Sequence, residues 1–76
     1  MKPEKLVKMA NDIGRFFEAE PERAAALEGV ASHIARFWEP RMRRELLAHV
    51  DAAGGADLRP LVLDAIVAHR ARLTPI

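Results

Sequence analysis

Seventy-six residues make at most one domain, spanning 1–76, and a chain this short buries only about 60% of the surface its unfolded form exposes. Half of the residues are hydrophobic, 30% are charged and the net charge is +1, a globular balance with no global field to gather nucleic acid or an anionic membrane. The absence of Cys excludes disulfides, iron–sulfur ligation and thiolate zinc sites, so a partner is the expected reinforcement for a small scaffold.

The N-terminal MKPEKLVKMA mixes acid and base without an apolar core, so it does not read as a secretory signal. No apolar run approaches the roughly 20 residues of a membrane-spanning helix. A cytoplasmic location with no membrane partner is the resulting expectation. A first helix is predicted from Pro3 to Phe17, with Pro3 suited to the first turn and Glu4 to the positive end of the dipole. Leu6, Met9, Ala10, Ile13, Phe16 and Phe17 fall on one stripe about 120° wide. Gly14 costs about 1 kcal/mol in a helix interior, and either it is tolerated or it marks close approach of another helix.

Pro21 breaks the chain and opens a second helix running to about Trp38, with Ala24, Leu27, Val30, Ala31, Ile34, Phe37 and Trp38 as its stripe and Gly29 inside it. Pro40 forces a corner and starts a third helix that carries Met42, Leu46, Leu47, Val50 and Ala53. Gly54-Gly55 is the stop signal, and Asp57 is the expected N-cap of a fourth helix over Leu58–Leu73. Most of its apolar residues, and His69, share one stripe. Leu63 and Val67 lie on the other side and read either as a partner contact or as isolated surface apolars. The fold class that follows is all-α, a small compact bundle or orthogonal array of four helices.

No catalytic constellation is visible. Ser32 is the only Ser, and its neighbour His33 points about 100° away on the same helix, which is not a nucleophile–base pair. The histidines at 33, 49 and 69 lack metal-ligand spacing. His33 is expected to make a structural hydrogen bond, and His69 to be a satisfied core histidine. Positive charge concentrates at Arg36, Arg41, Arg43 and Arg44, around the corner at Pro40. It suits a solvated helix start, docking to an acidic protein surface, or a small helical nucleic-acid-binding protein, the last disfavoured by the near-neutral chain. Phe37 and Trp38 at the same corner suit either core or interface, since Trp and Arg are enriched at binding hot spots.

The segments KPEKLVKMANDIGRFFE and GVASHIARFWEPRMRRELLAHV, followed by a Gly-Gly turn and a closing amphipathic helix, resemble the delta subunit of NAD-dependent, molybdenum-containing formate dehydrogenase. LVKMAN at Leu6–Asn11 and HIARFWEPRMR at His33–Arg43 are the most specific parts. The resemblance implies a non-catalytic accessory subunit of a cytoplasmic complex, supporting assembly or stability of the subunits that oxidise formate to carbon dioxide. It implies no cofactor in this chain. Its partners would be a large catalytic subunit holding a molybdenum bis-guanine-dinucleotide cofactor, and iron–sulfur and flavin (FMN) subunits that reduce NAD. Carried onto this sequence, it places partner contact at His33, Phe37, Trp38, Pro40, Arg41, Met42 and Arg43.

Overall fold

The computed structural model describes all residues 1–76 and is all-helical. Helix α1 spans Pro3–Phe17, α2 Arg23–Phe37, α3 Pro40–Ala53, α4 Pro60–Ala68 and α5 Arg70–Leu73. The fold class is the expected one, but the last predicted helix is two. At His69 the backbone leaves helical geometry (φ −119°, ψ 28°) and restarts as the single turn α5. That bend turns Leu73 into the core and carries Arg70 onto Asp51 and Arg72 onto Glu28. Neither Pro nor Gly marks it, so tertiary contacts set the break.

Proline and glycine punctuate the other elements. Pro3, Pro40 and Pro60 each sit in a first helical turn, where a missing N–H costs nothing. Gly54 ends α3 in the left-handed conformation (φ 82°), with its N–H on the Val50 carbonyl at 2.8 Å. Asp57 does not cap α4. Its carboxylate takes His49 Nε2 at 2.9 Å, and Arg59 is the N-cap, without a side-chain cap of its own. Asn11 of α1 serves instead, accepting the Arg59 N–H at 2.8 Å and donating to the Asp57 carbonyl at 3.1 Å.

Helix α4 packs against α1 and α2, α3 against α1, and α5 against α2 and α4. One cluster fills the space between them: Leu6, Val7 and Ala10; Val30, Ile34 and Trp38; Leu46 and Leu47; Leu58, Leu61, Val62, Ala65 and Ile66; and Leu73. No polar or charged residue is buried.

Two glycines set the helix spacing. A Cβ on Gly14 would fall inside contact distance of Val62 Cγ2, and one on Gly29 inside contact distance of the Phe17 ring. Both sites are close approaches between helices. The buried face of α1 is therefore Leu6, Val7, Ala10 and Gly14. Met9, Ile13 and Phe17 flank it. Phe16 lies roughly 130° round the helix from its centre at 100° per residue. It is 74% exposed, which corrects its place in the predicted stripe.

Charged pairs link the helix ends. Arg59 holds Glu18 through two hydrogen bonds at 2.5 and 2.8 Å, Arg70 holds Asp51 at 2.9 and 2.7 Å, and Arg23 pairs with Asp64. Hydrogen bonds from Arg59 and Arg70 hold the Glu18 and Asp51 carboxyls below their ordinary values of 4.5 and 3.8, against a smaller upward push from desolvation. A folded pKa below the unfolded one contributes stability above the unfolded value and loses it as pH falls through the folded one.

Two outcomes are expected. Gly14→Ala should destabilise the chain, because Val62 is β-branched, fully buried and held by its own helix. Overpacking of about 1–3 kcal/mol outweighs the about 1 kcal/mol of helix propensity gained. Thermal unfolding should show a lowered Tm, restored in part by Val62→Ala in the same chain, and Gly29→Ala should be milder because the half-buried Phe17 ring can shift. In acid, Tm of the wild type should fall between about pH 5 and about pH 2. It should fall less steeply in the Arg59→Gln/Arg70→Gln double variant, whose carboxyls have lost their main hydrogen-bond donors.

Candidate functional site

The corner between α2 and α3 is two residues of extended backbone, Trp38 (φ −88°, ψ 136°) and Glu39 (φ −63°, ψ 152°), ahead of Pro40. The clash of the proline ring with residue 39 explains why α2 cannot continue. The Trp38 N–H still closes α2 on the Ile34 carbonyl at 3.0 Å, and its side chain turns inward, 6% exposed, into the common core. Trp38 therefore anchors the corner from inside, and the expectation that it offers a contact surface is corrected. Met42 is half-buried against the same core.

The other predicted contact residues divide. Phe37 is 67% exposed, one residue from the buried Trp38, because adjacent helical positions point about 100° apart. His33, one turn earlier, is exposed and makes neither ion pair nor side-chain hydrogen bond; its ring lies 4.8 Å from that of Phe37. The structural hydrogen bond expected for His33 is absent. Pro40 and Arg41 are exposed, and Arg41 reaches back to Glu45 at 3.4 Å. Arg43 is half-buried, its Nε shut from solvent without a hydrogen-bond partner, beside a surface hollow of about 440 Å³ formed with Pro40, Arg72 and the segment Thr74–Ile76.

The basic cluster is broken by acid. Glu45 takes both Arg41 and the chain's N-terminal ammonium, while Arg36 and Arg44 hold no carboxylate. Arg36 stands 5.7 Å over the Phe37 ring, within cation–π range. On the far side of the molecule Leu63 is half-buried, its methyl groups close under Gly55, so its apolarity is used within the chain. Val67 is 69% exposed and lines no hollow. His69 is not a core residue; it is half-buried, 3.9 Å from Glu28.

The structure adds residues to this surface that periodicity placed inside. Phe16 and Phe17 meet edge to face at 5.0 Å, and with Ile13 and His33 they enclose a shallow hollow of about 290 Å³ between α1 and α2. The signal for it in the sequence was Gly14, whose close approach to α4 recentres the buried face of α1 and leaves Phe16 outside.

The structure gathers no group of three or more His, Asp or Glu side chains in metal-binding geometry, and no helix is long and apolar enough to cross a membrane. The surface is a set of aromatic and basic side chains on a helix corner. No curated protein and no solved structure matches the chain. Residues 5–66, which include most of α1, the whole corner and most of α4, match the family model described as NADH-dependant formate dehydrogenase delta subunit FdsD. With most of its length matched and the corner motif inside the match, the chain belongs to this family of formate dehydrogenase delta subunits.

Proposed function

We propose that this chain is a non-catalytic subunit that supports assembly or stability of the catalytic subunits in a cytoplasmic, NAD-dependent molybdenum formate dehydrogenase. The family match over residues 5–66 carries the reading. In it, the large subunit holds the molybdenum bis-guanine-dinucleotide cofactor and oxidises formate, and iron–sulfur and FMN subunits pass the electrons to NAD. Cluster ligation needs thiolates, and this chain has no Cys. Its two side-chain hydroxyls are also poorly placed for catalysis: Ser32 makes no hydrogen bond to a base, and Thr74 Oγ1 donates to the Arg70 carbonyl at 2.8 Å. What the chain offers a partner is a surface.

The corner supplies that surface. His33, Phe37, Pro40 and Arg41 stand outward on a segment that Trp38 and Met42 pin to the core, with Arg43 alongside. Such rigid presentation limits the side-chain freedom lost on binding. A helper that binds only the folded partner stabilises it by about 2.7 kcal/mol at 100 times the dissociation constant. That is enough to change abundance several-fold where partner stability is marginal.

Deleting the chain should lower the yield of assembled, metal-loaded enzyme while leaving turnover per molybdenum unchanged in the complex that does form. Molybdenum, iron and flavin content and turnover, measured with and without the chain, decide it. Unchanged yield and loading with collapsed turnover would place the chain in the catalytic cycle. Arg41→Glu should weaken co-purification with the catalytic subunit without lowering Tm, since Arg41 is exposed and its one ion pair is an exposed pair along its own helix, worth about 0.5 kcal/mol or less. Equal recovery of wild type and a folded Arg41→Glu chain would remove Arg41 from the interface.

A further inference from the structure

We infer that the exposed face between α1 and α2 is a groove for an amphipathic helix of the partner subunit, which sets an aliphatic side chain in the hollow and a carboxylate on Arg36. The inference rests on the chain being a formate dehydrogenase subunit that docks to the others.

The groove is continuous. Phe17 lies over Gly29, so α1 and α2 run antiparallel here, with Ile13 facing His33 one turn on. Phe16 packs on Phe17, His33 closes the hollow, and the His33 ring lies tilted against Phe37. Phe16 and Phe37, 74% and 67% exposed, are the two exposed phenylalanines of the chain and stand along one strip. Single exposed apolars are ordinary, but a joined aromatic strip marks a contact site. Ile13 and Phe17 are packed on the core from below, so the hollow is formed before anything binds.

The size and charge select the occupant. At about 290 Å³ the hollow falls just below the range for small-molecule sites, about 300–1,000 Å³, and suits one or two side chains. Two parallel helical ridges with a furrow between them suit the apolar face of a third helix. Around the rest of the molecule Arg23, Arg59, Arg70 and Arg72 each hold a carboxylate from another helix. Arg36 holds none, though it is fixed over Phe37 at the edge of the strip. A second copy of this chain would have to supply one from the few carboxylates left unpaired. The carboxylates nearest Phe16 and Phe17 in sequence are engaged already, Asp12 by Lys8 and Arg15, Glu18 by Arg59, and Glu20 by the Glu22 N–H, which leaves Glu4, Glu22 and Glu39 without a cation. An acidic amphipathic helix from a different chain meets both requirements.

The test is co-expression of the full chain with the tagged catalytic subunit and the remaining subunits, reading how much chain co-purifies. Phe16→Asp and Phe37→Asp should each reduce recovery roughly tenfold or more, the effect of losing a hot-spot anchor. Arg36→Glu should reduce it several-fold, and Val67→Asp, an equally exposed apolar site outside the groove, should leave it unchanged. Circular dichroism of each isolated variant shows that the fold is kept. Full recovery of Phe16→Asp and Phe37→Asp beside a wild type that co-purifies would overturn the groove and leave the subunit reading standing. A wild type that fails to co-purify would remove both. Sedimentation of the isolated chain gives the remaining arm: a dimer that Phe16→Asp converts to monomer would assign the strip to a second copy and overturn the proposal.

Discussion

The contact on which this small fold turns is Gly14 of α1 against Val62 of α4. Helix α4 packs on α1, α2 and α5, and it reaches α1 where α1 has no side chain to hold it off. Glycine weakens a helix by about 1 kcal/mol, a cost offset here by the burial of Val62 and its neighbours Leu61, Ala65 and Ile66. Asn11, one turn earlier on α1, seals the same junction by capping the start of α4, and Arg59 closes it from outside on Glu18. Three kinds of interaction, close packing, a cap and an ion pair, thus converge where the two helices meet.

That junction also decides what the molecule shows to its surroundings. With Gly14 at the centre of the α1 contact, the aromatic pair at the end of the helix cannot be buried together; Phe17 covers Gly29 and Phe16 is left outside. At the other end of the strip, Trp38 takes the last place in the core and Phe37 is left outside. The exposed rings are consequences of how the buried ones are seated, and they lie on elements held rigid by the core.

The charges follow a similar division. Arg23, Arg59, Arg70 and Arg72 bridge helix ends through exposed pairs that each contribute little but together fix the orientation of α4 and α5. The corner differs: Arg36 and Arg44 hold no carboxylate, and Arg43 Nε has no hydrogen-bond partner. In a delta subunit of formate dehydrogenase, unsatisfied groups of this kind are where another subunit can contribute what this chain does not.

Much of the architecture was legible in the residues themselves. Pro3, Pro40 and Gly54 act within a turn of where they stand, by steric limits on φ and ψ and a missing N–H, so the starts of α1 and α3, the corner and the end of α3 could be read directly. The all-α class followed from apolar spacing, and the corner motif His33–Arg43 carried the family. Tertiary structure decided the rest. Asp57 has cap chemistry, but His49 takes it and Asn11, 48 residues from Arg59, does the capping; local preference cannot foresee a donor from a distant helix. The bend at His69 has no local cause and is set by where Leu73, Arg70 and Arg72 find partners. Periodicity gives the width of an apolar stripe, not its centre. Only the packing of Gly14 on Val62 and of Trp38 in the core determined that Phe16 and Phe37 face outward, because burial depends on which helix arrives and how close it comes.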